Sequence, residues 1–588
     1  MKKSMWNLIK TASVLCLLGL PVSYAFANNY TYDSDNTYTN GSDYIMPIGI
    51  PAPSFGLVET HEMYQGQYYA VGGFNYRDAG NGPYTHYIDN TDPNCTDTDT
   101  DTDTDNEYGT AATPRCSFIP YNSLPLTEGS VVEIHGGPYM TSGTHYLIGE
   151  GTAEKPVFVR GASFANKVPL VDDADALRIQ GSYFILENLD INETQVFIYR
   201  APNHHISIRG NNIHDYTLSA IYHSALISTG GWNGFSNDNI VFYNNEIHHA
   251  YKYDDPAVGV NHTKDNHGLA LGSDVNHVWI INNHMHHNGG DSVQTRGLNL
   301  EYIYIGGNEM NNDVENAIDI KGSKHVIVSQ NKMHGYVPGF DSDGTVVVGG
   351  HEGSKLSWFL FNEMYDALVG LRVNDGDSTI AYVIGNKMHH LEQMGFQTRY
   401  TSDIYFMGNS ISETPVGFED NGSGLNTGIY KIHNNIFYTN NDSDSQVIIS
   451  SGKVDGGGTN SFSHNLLYSP GGNVSIDWGG PVYQSSALLH SATGMGEGNI
   501  DADPLFTSLT MGDPNIMAID GTTFPGASKG TLSPEIAAAY QTFEDLYGID
   551  IRKDFSGISV PQGTGIEMGA YEISSPPPPT NLTAEILP

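Results

Sequence analysis

Basic residues are scarce in this chain. Its 588 residues carry 26 Lys plus Arg against 66 Asp plus Glu, a formal charge of −40. A surface that negative repels phosphate backbones and anionic headgroups, which excludes nucleic acid and membrane as general partners. Cysteine is equally scarce. Of three, Cys16 lies in the N-terminal apolar run, which leaves Cys95 and Cys116. In an oxidising compartment these two are expected to close one disulfide. Sustained helical periodicity is also missing from the central chain, which excludes a helical solenoid. So are the longer units and blade signature of a propeller. Beyond the first residues no apolar run is long enough to span a bilayer.

What is present is punctuation. Gly numbers 66 and Tyr 36, a composition of short strands and many turns. Residues 1–27 place Lys2, Lys3 and Lys10 before an apolar run that ends in Ala25-Phe26-Ala27. This reads as a secretory signal rather than an anchor, because Pro21 breaks a run that is already short. It predicts a secreted, extracellular or periplasmic protein of a bacterium. Residues 28–126 form an extension without a clean repeat. It contains the acidic run Thr96 to Asp105, TDTDTDTDTD, flanked by the two cysteines. A solvated loop is the plain reading of that run, and collection of calcium is the other.

From 127 to 515 the text becomes repetitive. An Asn followed two residues later by an apolar residue recurs at Asn211, Asn245, Asn283, Asn308, Asn331, Asn362, Asn386, Asn409, Asn434 and Asn465. The intervals run from roughly 23 to 38 residues, the range of a solenoid, with the longer ones carrying inserted loops. Each turn can bury its apolar face only against its neighbours, and a repeated corner Asn can hydrogen-bond from turn to turn. The expected fold is therefore all-β, a single-stranded parallel β-helix. Three residues after the corner stand His214, His248, His286, His334 and His389, with Asn311 and Tyr365 in the same register. Spread along a rod, these cannot share one ion, and they are read as a structural stack. Residues 516–573 form a C-terminal cap with a helix over SPEIAAAYQTFEDLYG, N-capped by Ser533 and lying against the end of the coil. Residues 574–588 read as a proline linker and the start of a fibronectin-type module.

The functional signal lies in one strand of each turn. SVQTRG from Ser292, AIDIKG from Ala317, VGLRVND from Val369, MGFQTRY from Met394 and VGFEDNG from Val416 align on their small or apolar starts. Alternation points Val293, Ile318, Leu371, Phe396 and Phe418 inward. It points Gln294 and Arg296, Asp319 and Lys321, Arg372 and Asn374, Gln397 and Arg399, and Glu419 and Asn421 outward. Four cations of a cation-poor chain thus fall in or beside one column, a focused site for an anionic polymer.

The repeat and the closing segments NIDADPLF (Asn499 to Phe506) and GIEMGAYE (Gly565 to Glu572) resemble the right-handed parallel β-helix, pectate-lyase-like superfamily. Within it, NAIDIKGS with Lys321 is similar to the lysine strand of the chondroitinase B and alginate lyase family. That resemblance implies β-elimination on an anionic polysaccharide, uronate-containing or sulfated, by a monomeric enzyme with Ca2+ as cofactor. Lys321 would be the base, and a lysine serves once neighbouring cations favour its neutral form. Arg296 and Arg399 would assist catalysis. Arg372, Gln294, Gln397, Asn374 and Glu419 would bind substrate. Asp291, Glu315, Asp319, Asp341 and Asp343 would be calcium ligands. The family's upstream Glu-x-Glu is not reproduced, and VVVGGH (Val346 to His351) stands where an Arg-His-Gly pattern is expected.

Two rival readings share the fold. DNHGLALGS (Asp265 to Ser273) resembles the Gly-His-Gly strand of polygalacturonases and suggests a glycoside hydrolase, which needs paired carboxylates. A non-catalytic carbohydrate-binding or adhesive protein would need only the strip. A C5-epimerase shares the proton abstraction of a lyase.

Overall fold

A computed structural model describes most of residues 44–573. It leaves out 1–43, 574–588 and internal stretches, the larger being 58–67, 78–83, 99–108, 119–125, 162–167, 217–223, 251–265, 337–343, 350–355 and 451–459. The expectations for the signal segment, the fibronectin-type start, most of the Thr-Asp run, Asp341 and Asp343 lie outside the described residues.

One turn shows the construction. The corner Asn283 leads into a three-residue strand, His284–His286, here called face C. A single long strand, Val293–Gly306, then supplies two faces. Its first residues, Val293 to Arg296, form face A, and Leu300 to Gly306, after a register shift, form face B. Asn308 turns the chain back to face C at Glu309–Asn311. Each face pairs in parallel with the same face one turn on: His286 with Asn311, Val293 with Ile318, and Ile303 with Val326. The fold is a parallel β-helix.

Inward residues from all three faces fill one continuous interior of Ile, Val, Leu, Phe and Met, from Ile88 and Val132 to Ile476 and Trp478. Loss of water from these side chains is the main stabilising force, at about 25 cal/mol per Å2 of apolar area. The corners are held by an asparagine ladder. Asn308 donates its backbone N–H and its Nδ2 to Asn331 Oδ1, at 3.0 and 2.9 Å, and also donates Nδ2 to Ile280 O. Asn331 repeats the pattern onto Asn362, and Asn362 onto Asn386. Asn435, not Asn434, takes the ninth place. Asn434 instead adopts a left-handed conformation and bonds Thr531 in the C-terminal segment. Both asparagines precede an apolar residue by two, so the rule used on the sequence could not separate them. The ladder then runs on through Asn465 to Asn499, with the short strand Ile500–Asp501 as a last partial turn.

Two helices close the structure, where one was expected. The missed one, Ser486–Thr493, is N-capped by Ser485 and ends at the left-handed Gly494. It places Leu489 in the main interior beside Trp478, and so it plugs the end of the coil. The expected helix is Pro534–Tyr547, with Ser533 as N-cap. It lies along the flank instead. The outward column of face B runs Val241, Trp279, Tyr304, Ile327, Trp358 and Tyr382, too apolar to face water. Ile536, Ala539 and Phe543 of this helix cover it, together with Ile50 and Leu57 of the N-terminal segment. Cys95 and Cys116 are joined in a disulfide.

The C-terminal segment buries two carboxyls near one another, Glu567 and Glu572. Burial and the neighbouring Glu567 push Glu572 up to about 9. The folded state therefore keeps a proton that the unfolded chain releases above about 4.5. Stability contributed here is complete below that value and is lost as pH rises toward 9. We expect the melting temperature to fall across this window, and the slope to flatten in Glu567→Gln. Equal slopes in both proteins would contradict the shared-proton account.

Candidate active site

Face A carries its outward side chains in two columns. The inner one reads Ala270, Gln294, Asp319, Val347, Arg372, Gln397 and Glu419 by strand register. The outer one reads Arg296, Lys321, Gly349, Asn374, Arg399 and Asn421. The inward set Val293, Ile318, Leu371, Phe396 and Phe418 is fully buried. The structure differs from the sequence alignment in one respect. A further turn, Val346–Val348, stands between the strands of Lys321 and Arg372. Its valines show no alternation of apolar and polar residues, so it was not recognised as a turn.

The extra turn makes the geometry. On it the outward positions are Val347 and Gly349, one short apolar side chain and none. Turns are about 4.8 Å apart. By register Asp319 and Lys321 therefore face Arg372 and Asn374 across a notch about 10 Å wide, with only Val347 and Gly349 between them among the described residues; Asp319, Val347 and Arg372 are 5%, 9% and 6% exposed. Arg296 sits one turn before Lys321. Arg399 is three turns beyond it, outside the notch, and Gln397 is hydrogen-bonded to Glu419 rather than turned to it. Within the coil, the chain enters face A at Asn266 some way after His248, and leaves it at Ile449 before Ser461.

Lys321 Nζ is ion-paired with Asp319 Oδ2. Asp319 is only 5% exposed, and its Oδ1 has no hydrogen-bond partner among the described residues. Burial and the negative Asp291 push its carboxyl up to about 7, against the pull of Lys321. This carboxyl therefore exchanges its proton near neutrality, as a catalytic acid or base must.

Two turns before Lys321 lies a residue that the lyase reading did not use, His267. It occupies the turn before Asp291. Its Nδ1 accepts the Asp291 backbone N–H at 3.0 Å and lies 3.2 Å from Asp291 Oδ2. The signal for it was DNHGLALGS, which pointed to the rival hydrolase. Donor atoms of His267, Asp291 and Glu315 all lie within 4.8 Å of one another and form a possible metal-binding group. Calcium takes six to eight oxygens. Here one donor is an imidazole, and Asp291 already accepts from Asn316 N and Nδ2 at 3.1 and 2.9 Å and from Gln294 at 3.3 Å. Of the expected calcium ligands, Asp291 and Glu315 come together with His267, Asp319 is engaged by Lys321, and Asp341 and Asp343 lie outside the described residues; no chemical step is assigned to an ion.

No protein-family model and no curated protein matches the chain. Among solved structures it is similar to pectate lyase Pel9A, at 11% identity and a TM-score of 0.33 over 83% of this chain and 96% of that one. It is similar to an alginate lyase from Paenibacillus sp. str. FPU-7, at 16% identity and a TM-score of 0.24 over 51% and 90%. A third is the GH136 lacto-N-biosidase from Eubacterium ramulus, at 11% identity and a TM-score of 0.32 over 66% and 64%. Likenesses of this size decide nothing about reaction or substrate, which are argued from the residues.

Proposed function

We propose that this protein is a secreted polysaccharide lyase that cleaves an anionic, uronate-containing polymer by β-elimination on face A. One observation carries the reading: among the described residues, by strand register, only Val347 and Gly349 stand between the Asp319–Lys321 pair and Arg372. A sugar ring laid over Val347 and Gly349 would put its carboxylate toward Arg372. That cation, in a buried setting, stabilises the charge that develops as the neighbouring C5–H loses its proton. The Lys321 amine takes this proton. The electrons form the C4–C5 double bond, and the bond from C4 to the glycosidic oxygen breaks. The leaving oxygen takes a proton from Asp319, whose raised carboxyl holds one near neutral pH. The step ends with Lys321 as ammonium and Asp319 as carboxylate, the ion pair present in the structure. Arg296, beside Lys321, would bind the next anionic group along the chain.

The test is a panel of uronate and sulfated polysaccharides, read by ultraviolet absorbance and by chain size. The expected result is falling chain length together with absorbance from the unsaturated product, and EDTA leaves both in place. A glycoside hydrolase is the second reading, favoured by the proton on Asp319 with Asp291 and Glu315 near it. It would release reducing ends without absorbance.

A further inference from the structure

Face C carries a column of imidazoles that the groove chemistry does not use. His214, His248 and His286 stack on consecutive turns with ring centroids 4.9 Å apart. Elsewhere in the column each imidazole meets a side-chain oxygen at hydrogen-bond distance, His248 meeting Asn212 Oδ1 at 3.1 Å. His214 meets Asp190 at 3.1 Å, His334 meets Glu309 at 3.2 Å, and His389 meets Glu363 at 3.3 Å. One place breaks this pattern. Glu246 Oε1 stands 3.6 Å from His286 Nε2 and 4.0 Å from His284 Nδ1, beyond normal hydrogen-bond length to either. The two rings come from one strand and tilt toward each other at 4.3 Å. Glu246 comes from the turn before, directly opposite His284.

We propose that Glu246, His284 and His286 bind a divalent transition-metal ion of the zinc class. Ligands at about 2.0 to 2.1 Å from a tetrahedral ion lie roughly 3.4 Å apart, so a small closure of the observed gaps suffices. A His2Glu set suits Zn2+, Ni2+ or Cu2+ and is poor for Ca2+, which prefers oxygen. The outer partners fit as well. His286 Nδ1 is 2.8 Å from His287 Nδ1. With the proton on His286 Nδ1 and donated to His287, the Nε2 lone pair faces Glu246, the arrangement that orients a metal-bound histidine. At His284 the Asn311 Nδ2 donates to Nε2 at 3.2 Å, so presenting the Nδ1 lone pair to an ion requires this amide to turn its oxygen toward Nε2–H. The column as a whole does not share one ion. A single turn with a second imidazole, His284, gathers enough ligands for one. Because the ligands span two turns, the ion would clamp one turn to the next, away from the groove.

The experiment is calorimetric titration of the full chain, freed of metal with EDTA, using Zn2+ alone. Circular dichroism of each variant checks that it is folded. We expect one ion per chain at this site and a melting temperature that rises with added Zn2+. His284→Gln and Glu246→Gln should each weaken that binding at least tenfold. His214→Gln, in the same column outside the site, and His267→Gln, in the other donor group, should leave it unchanged. Polysaccharide cleavage by His284→Gln should be unaffected, which keeps this site separate from the proposed reaction. Folded His284→Gln and Glu246→Gln proteins with unaltered Zn2+ affinity would overturn the proposal. So would loss of the ion in His267→Gln instead.

Discussion

Lys321→Ala should lower polysaccharide cleavage by about 10²- to 10⁴-fold, the usual contribution of a positioned base. The strand itself should survive. Lys321 is a half-buried outward residue, and its backbone N–H bonds Thr295 Oγ1 whatever the side chain. Binding should fall less than turnover, because Arg296, Arg372 and Asn374 remain. Lys321→Arg should not restore the rate, since a guanidinium keeps its proton. Asp319→Asn removes the proton donor and the ion-pair partner, and should abolish the limb of the pH–rate profile that the Asp319 carboxyl sets near 7. Full activity in Lys321→Ala would end the assignment of the base, and with it the lyase mechanism.

The largest effect on stability is expected at the middle of the ladder. Asn331→Ala removes the acceptor for the backbone N–H and Nδ2 of Asn308, and the Nδ2 donor to Ile305 O. All these groups are buried, and each one left unsatisfied costs about 1 to 3 kcal/mol, so a loss of roughly 3 to 5 kcal/mol is expected. The same change at Asn499, the half-buried end of the ladder, strands fewer groups and should cost roughly 1 kcal/mol. Urea unfolding compares the two. In a coil whose turns touch only their neighbours, the central change should also split or broaden the transition. Equal, small losses at both positions would show that the interior alone fixes the turns.

The sequence made the coil legible because its two determinants are local. Corner asparagines recur in the text, and the strands of Ser292, Ala317, Val369, Met394 and Val416 alternate cleanly, so inward and outward residues could be assigned. Reading failed where alternation stops. Val346–Val348 is apolar on both sides and passed unnoticed, which drew Arg372 one turn too close to Lys321. Face B strands such as VWII and SWFL are also apolar on both sides, because a second layer covers them. Nothing local says that the covering helix comes from residue 534 onward, and so that helix was expected at the end of the coil. Asp319 was legible as a carboxylate beside a lysine. Its raised pKa was not, because it depends on burial and on Asp291, which lies one turn away.

The flank cover has a consequence for the order of assembly. Turns can stack as they are synthesised, each on the one before. The aromatic column of Trp279, Tyr304, Trp358 and Tyr382, however, waits for both ends of the chain. Gly49 of the early segment lies against Leu360, and also against Phe543 and Ile551, which are made after the coil. Until then a completed coil carries a bare aromatic stripe. Chains truncated before residue 534 should keep their strands yet associate through that stripe, so the final helix acts as a seal on a body already built.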